Sequence, residues 1–218
     1  MTVARIALIA LLMAATSVTA QSRRAGMNEV YFGMAGSESK DYTFEGGTTA
    51  STDSGFGLNF GWLHHINPNF AAGVELGWMD IDYQATVQPG LANPNVSGRI
   101  NGSVETFSLR FTGAWHILPG DFTPYLGAGL GWTYIDTNIP AGLPESFCWY
   151  YPWYGSYCST YVPTQTTTQF SYNVGVGLRY DFGRGVIRAA VEQQYVDFGG
   201  SYGSDHLTQY RIELGTKF

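Results

Sequence analysis

From His206 onward the chain reads HLTQYRIELGTKF and changes character at every residue. Tyr210, Ile212, Leu214, Thr216 and Phe218 alternate with Gln209, Arg211, Glu213, Gly215 and Lys217. A repeat of two belongs to an extended strand, whose successive side chains leave opposite faces. One face here is apolar and the other carries charges of both signs. Such a strand needs an apolar medium on one side and a polar one on the other. The pattern recurs seven more times, over 28–36, 54–65, 70–83, 103–116, 122–135, 169–181 and 186–198. Eight strands of roughly nine to fourteen residues are long enough to cross a bilayer at a tilt.

The apolar face is layered. Trp62, Phe70, Trp115, Phe122, Tyr180 and Phe218 fall near one end of their strands. Trp78, Phe107, Trp132, Tyr134, Tyr172 and Tyr195 fall towards the other, with Ala, Val, Leu and Ile between. Two aromatic girdles around an aliphatic band describe a surface immersed in lipid. The opposite face carries Glu75, Arg110, Arg179, Asp181, Arg188, Glu192, Arg211 and Glu213. A soluble ligand-carrying barrel would need its apolar face inside and a polar exterior. The pattern therefore predicts an all-β fold: an eight-stranded antiparallel up-and-down transmembrane β-barrel, closed so that no strand edge meets lipid.

The connections alternate in length. Asn67-Pro68-Asn69, Leu118-Pro119-Gly120-Asp121 and Gly183-Arg184-Gly185 are short, whereas 37–53, 84–102, 136–168 and 199–205 are longer. Outer-membrane barrels keep their periplasmic turns short. The longer loops are thus expected outside the cell, with both termini periplasmic.

The first twenty residues read as a secretory signal peptide: Arg5, the apolar run Ile6 to Ala15, and small Val18 and Ala20 before a cut at Gln21. The expected domains are 1–20, removed, and 21–218, the barrel. Losing Arg5 takes the formal charge from −6 to −7, which argues against nucleic acid as a partner. Export places Cys148 and Cys158, the only two cysteines, in an oxidising compartment and predicts that they pair. The ring would enclose Trp149, Tyr150, Tyr151, Trp153, Tyr154 and Tyr157 within the longest loop. Two roles stand open for these aromatics. They pack on each other and on the barrel rim, capping the lumen, or they form a rigid contact surface for a carbohydrate or a host protein.

An eight-stranded barrel has an interior about wide enough for side chains to fill. The eight inward charges are expected to pair as a plug, with a narrow ion or solute path and a catalytic carboxylate pair as the alternatives. Inward glycines leave room for the long Arg and Glu side chains. Gly127, Gly129 and Gly131 lie inside a strand, so they are no dinucleotide fingerprint. Ser204-Asp205-His206 has the residue types of a hydrolase, but sequence neighbours do not face one another as a triad requires. Adjacent His64 and His65 point to opposite faces and cannot easily share a metal; they and His116 are expected at the membrane interface. No catalytic residue, metal site or cofactor is expected.

The signal peptide, the eight hairpin-linked strands and the terminal Tyr210, Ile212, Leu214, Thr216 and Phe218 resemble the small eight-stranded outer-membrane barrels of Gram-negative bacteria, the OmpA, OmpX and opacity-protein type. The periplasmic domain of longer OmpA relatives is not expected. The resemblance implies that Tyr210, Ile212, Leu214 and Phe218 form the signal read by the outer-membrane insertion machinery. It implies a monomer among outer-membrane lipid and lipopolysaccharide, with a structural or interaction role carried by the long loops. A small porin-like channel is the alternative, and a lipid A-modifying enzyme a third reading. Ser204-Asp205-His206 does not match the His-x-Ser motif of the lipid A deacylase barrels.

Overall fold

The computed structural model describes residues 24–43, 49–87, 98–141, 145–153, 155–197 and 204–218. The segment 1–20 lies outside them. Twelve strands follow in order: β1 Asn28–Ser37, β2 Lys40–Thr43, β3 Thr49–Thr52, β4 Phe56–His65, β5 Phe70–Val87, β6 Gly98–His116, β7 Phe122–Pro140, β8 Glu145–Tyr151, β9 Gly155–Tyr161, β10 Thr164–Phe182, β11 Gly185–Asp197 and β12 Ser204–Lys217. Among the described residues no helix is long and apolar enough to cross a membrane. The crossing elements are strands.

Eight of these strands close the barrel in the order β1-β4-β5-β6-β7-β10-β11-β12, every pair antiparallel. The first strand meets the last to complete the ring, from Glu29 opposite Lys217 to Ser37 opposite Gln209. The seam continues past the strand ends, where Asn28 N–H donates to the Phe218 carbonyl at 2.9 Å.

The short turns show local chemistry suited to reversal. Asn67 Oδ1 accepts from the Asn69 and Phe70 amides at 2.9 and 2.8 Å. Gly183 sits at a φ of +66° between β10 and β11, the left-handed position that a two-residue hairpin needs at its first central residue. The Lys217 amide donates to the Arg184 carbonyl at 2.8 Å and ties this turn to the neighbouring strand.

Alternation is kept across the membrane band. Phe32, Leu76, Leu109, Leu130, Val176 and Ile212 face outward and exposed. Register joins Phe70 to Trp115 and Phe122 to Tyr180 at the short-turn end. It joins Trp78 to Phe107 and Tyr172 to Tyr195 at the other end.

Two expectations about the longer connections are corrected. The strands are not limited to fourteen residues: β6, β7 and β10 each run for 19. Their outer parts, such as Thr164–Thr167 of β10, lie beyond Tyr134 of the aromatic girdle, where both faces meet water and the apolar alternation stops. The segments 37–53 and 136–168 also hold strands of their own. β2 pairs with β3, and β3 adds to β5 beyond the girdle. β8 and β9 form a separate two-stranded hairpin above β7 and β10.

Val176 lies midway between Tyr172 and Tyr180, opposite Leu126 and Val191. Val176→Arg should destabilise the barrel by about 2–4 kcal/mol, and Thr216→Arg, near the rim, by about 0–1 kcal/mol. Reversible denaturant unfolding in lipid vesicles measures the difference. Equal costs at the two sites would mean that the band is not centred as described.

Candidate functional site

All eight charges assigned to the inward face lie in the lumen and are nearly fully buried. The same alternation brings in Glu29 of β1 and Lys217 of β12, and Arg24 folds in from the segment before β1. The side chains form layers along the axis.

At the short-turn end Asp181 is the shared acceptor. Arg179 Nε donates to its Oδ1 at 2.8 Å, and Lys217 Nζ and Arg24 Nε approach Oδ2 at 3.1 and 3.2 Å. The Arg24 guanidinium also donates to the Gly120 carbonyl, so the leading segment is pinned across the mouth to the β6–β7 turn. Burial pulls the Arg24 pKa below its ordinary value, and the Asp181 carboxylate opposes that shift. Glu29 Oε2 receives Arg179 Nη2 at 2.7 Å and meets His65 Nε2 at 3.0 Å.

Glu75 organises the middle. It accepts from Arg110, from Arg211 and, at 2.7 Å, from the Tyr31 hydroxyl. Arg211 also pairs with Glu213, and its Nη1 lies 2.6 Å from Glu192 Oε2. Arg188 Nη2 lies 2.7 Å from Glu213 Oε2, with its guanidinium carbon 3.9 Å from the centre of the Tyr31 ring. Asn59 and Asn173 donate to Glu213 and Glu192 at 2.7 and 3.0 Å. Glycine makes this density attainable: a Cβ on Gly61 would lie 2.2 Å from Tyr31 Cζ, and one on Gly175 would lie 2.5 Å from Glu192 Cγ.

The interfacial placement expected for the histidines is corrected for two of them. His65 and His116 are fully buried inside the barrel, with ring centroids 5.7 Å apart. Both strands continue their inward parity to the last residue, so the rings close the lumen instead of facing headgroups. His64 points the other way and stacks near Trp62 at 6.4 Å. Among the described residues no cluster of His, Cys, Asp or Glu is arranged to hold a metal. His206 lies on β12 with its ring 5.9 Å from Tyr195.

A void of about 20 Å³ lies beside Asn59, Met79 and Arg211, room for about one water. A concavity of about 910 Å³ runs along outward Leu126, Leu178, Ala189 and Ile212, with Arg211 also on its wall.

Cys148 and Cys158 occupy paired positions of β8 and β9 and form a disulfide. Trp149 and Tyr157 pair next to them in register, and Tyr151 pairs with Gly155, which takes a φ of +79° at the turn. Tyr154 lies outside the described residues. Tyr150 is 70% exposed and Trp153, at the tip, 90% exposed. Both side chains stand mostly in solvent. The terminal Tyr210, Ile212 and Leu214 stand on the lipid-facing side of β12, and Phe218 follows it, all 49–60% exposed.

Residues 6–218 match the family model described as outer membrane protein beta-barrel domain, and the chain belongs to that family. Its fold is similar to that of the outer membrane protein OprG from Pseudomonas aeruginosa. The match has 15% identity, covers 91% of this chain and 98% of that one, and has a TM-score of 0.56. Looser likenesses include the attachment invasion locus protein Ail of Yersinia pestis, solved with the heparin analogue sucrose octasulfate, at 15% identity, 89% and 99% coverage and a TM-score of 0.46. Neisserial surface protein A matches at 13% identity, 88% and 96% coverage and a TM-score of 0.46. At these identities the likeness is one of fold. A comparison with curated protein sequences finds no match. Family and fold together place the chain in the bacterial outer membrane.

Glu75 serves two arginines and a tyrosine, so Glu75→Ala should leave two buried cations short of a partner. A loss of about 3–5 kcal/mol is expected, as for breaking a buried pair from one side. Glu192→Ala removes a partner of one arginine, Arg211, and of the Asn173 amide, and should cost less. The temperature at which the folded band shifts on gels ranks the two. Wild-type behaviour in both variants would show that water, not pairing, satisfies these arginines.

Proposed function

We propose that this barrel is a surface interaction protein, whose long-loop end faces outside the cell and presents the disulfide-closed hairpin to a ligand. The observation that carries this reading is the exposure of Tyr150 and Trp153 on a covalently closed hairpin. Large aromatics left in water at a loop tip are unfavourable unless a partner covers them. Tyr and Trp offer contact area at low entropic cost, and ring closure lowers that cost further. In the chain-entropy picture a bridge spanning ten residues limits the open states of the hairpin by up to about 3 kcal/mol. No charged residue lies between the cysteines, which favours neutral, ring-stacking partners such as carbohydrate or an uncharged protein patch.

A conducting role is the weaker reading, because the charges that would line a path are engaged with one another across the lumen. The short turns 67–69 and 183–185, with both termini, would then be periplasmic, and the chain would act as a monomer among lipopolysaccharide.

Two results test this reading. Protease added to intact cells should cut only within 37–53, 84–102, 136–168 or 199–205; cuts at 67–69 or 183–185 would invert the orientation. Cells displaying the protein should adhere to some members of a panel of immobilised glycans and matrix proteins. Trp153→Ala and Tyr150→Ala should abolish that adhesion while leaving the gel shift of the folded barrel unchanged. Adhesion that survives both substitutions would move the contact away from the hairpin.

A further inference from the structure

Above Arg110 and Arg211 the interior changes chemistry. Ile81, Val104, Ile135, Val196 and Leu207 come from five different strands, each at an inward position towards the long-loop end, and line a cavity of about 220 Å³. Ile81 and Ile135 are each only 8% exposed. The floor is a chain of hydrogen bonds: Gln209 Nε2 to Gln194 Oε1 at 2.7 Å, Gln194 Nε2 to Thr133 Oγ1 at 3.2 Å, and Thr133 Oγ1 to Ser171 Oγ at 2.8 Å. Among the described residues the cavity wall includes His206 but no Arg, Lys, Asp or Glu.

A plug needs no such collar. The layers beneath are filled by paired charges, whereas here Ile81 packs with Ala35, Met79 and Leu207 and the five aliphatic side chains still enclose open space. An apolar body with a few placed polar groups at one end is the usual composition of a small-molecule site. An apolar cavity of about 150 Å³ accepts benzene, so this one has room for roughly a fused pair of rings or a short alkyl chain. We propose that the mouth of the barrel binds a small, uncharged, mainly apolar molecule carrying one hydrogen-bonding group. The apolar body lies against the collar, and the polar group meets the Gln209 and Gln194 amides. The ion-paired layers below make it a site of capture from the long-loop side, with no passage onward. The site is separate from the hairpin contact and stands whether or not that contact exists.

The test uses the disulfide-intact barrel in lipid nanodiscs, with labelled isoleucine δ1 methyls and 1-naphthol as the probe. Ile81 and Ile135 should shift saturably, while lipid-facing Ile187 and Ile212 follow only the naphthol dissolved in lipid. Leu207→Asp, which puts a charge into the collar, should weaken the saturable response by roughly tenfold. Gln209→Leu keeps the collar apolar and removes a floor amide. It should weaken 1-naphthol by roughly fivefold and leave naphthalene unchanged. The proposal is overturned if Ile81 and Ile135 merely track the lipid-facing methyls, or if neither variant changes the saturable shift. Should Leu207→Asp not fold, the naphthol-to-naphthalene ratio in Gln209→Leu decides alone.

Discussion

In hydrocarbon there is no water to satisfy a backbone N–H or C=O, so a spanning sheet has to close on itself. Here closure is the pairing of β1 with β12, nine residues from Glu29 to Ser37 against Lys217 to Gln209. Much else follows from that seam. A closed sheet has two environments, lipid outside and a narrow interior, and a strand shared between them carries a period of two. Eight strands leave an interior about one layer of side chains wide. Whatever charges point inward come within reach of one another, and in so confined a space they have to pair.

The pairing is arranged around shared acceptors. Asp181 gathers Arg24, Arg179 and Lys217, while Glu75 gathers Arg110, Arg211 and the Tyr31 hydroxyl. Arginine suits such a lumen, because its planar fork can serve two carboxylates at once. Arg211 reaches three, those of Glu75, Glu192 and Glu213. The network joins nonadjacent strands across the interior of the barrel. In the proposed function recognition belongs to the long-loop end, which holds the exposed hairpin tip and the aliphatic collar.

The barrel was legible because lipid and lumen impose opposite chemistry on neighbouring residues, as at Ile212 and Arg211. Glu29 was equally legible by its parity with Tyr31 and Gly33, but a single charge at a strand start is easily passed over. Arg24 was not legible, since it reaches the lumen from outside any strand and no periodicity marks it. His65 and His116 look like interfacial residues from their positions near strand ends; only the register shows that their parity carries them inside. Beyond the girdle the signal fails for a physical reason. Residues 164–167 meet water on both faces, so this end of β10 leaves no alternation to read. The collar was hidden differently. Ile81, Val104, Ile135, Val196 and Leu207 are apolar residues on the polar parity, and they stand out only once five strands are placed side by side.

The central claim is that the charged layers close the lumen. Single-channel recording of the disulfide-intact barrel in planar lipid bilayers addresses it most directly. Because Glu75, Arg110, Arg211, Glu192 and Glu213 are held by one another across the interior, the account predicts insertion without unitary current steps in monovalent salt at moderate voltage. Stable, ohmic steps from the wild-type protein, with an ion selectivity altered by Glu75→Gln, would contradict it and make the lumen a conducting path.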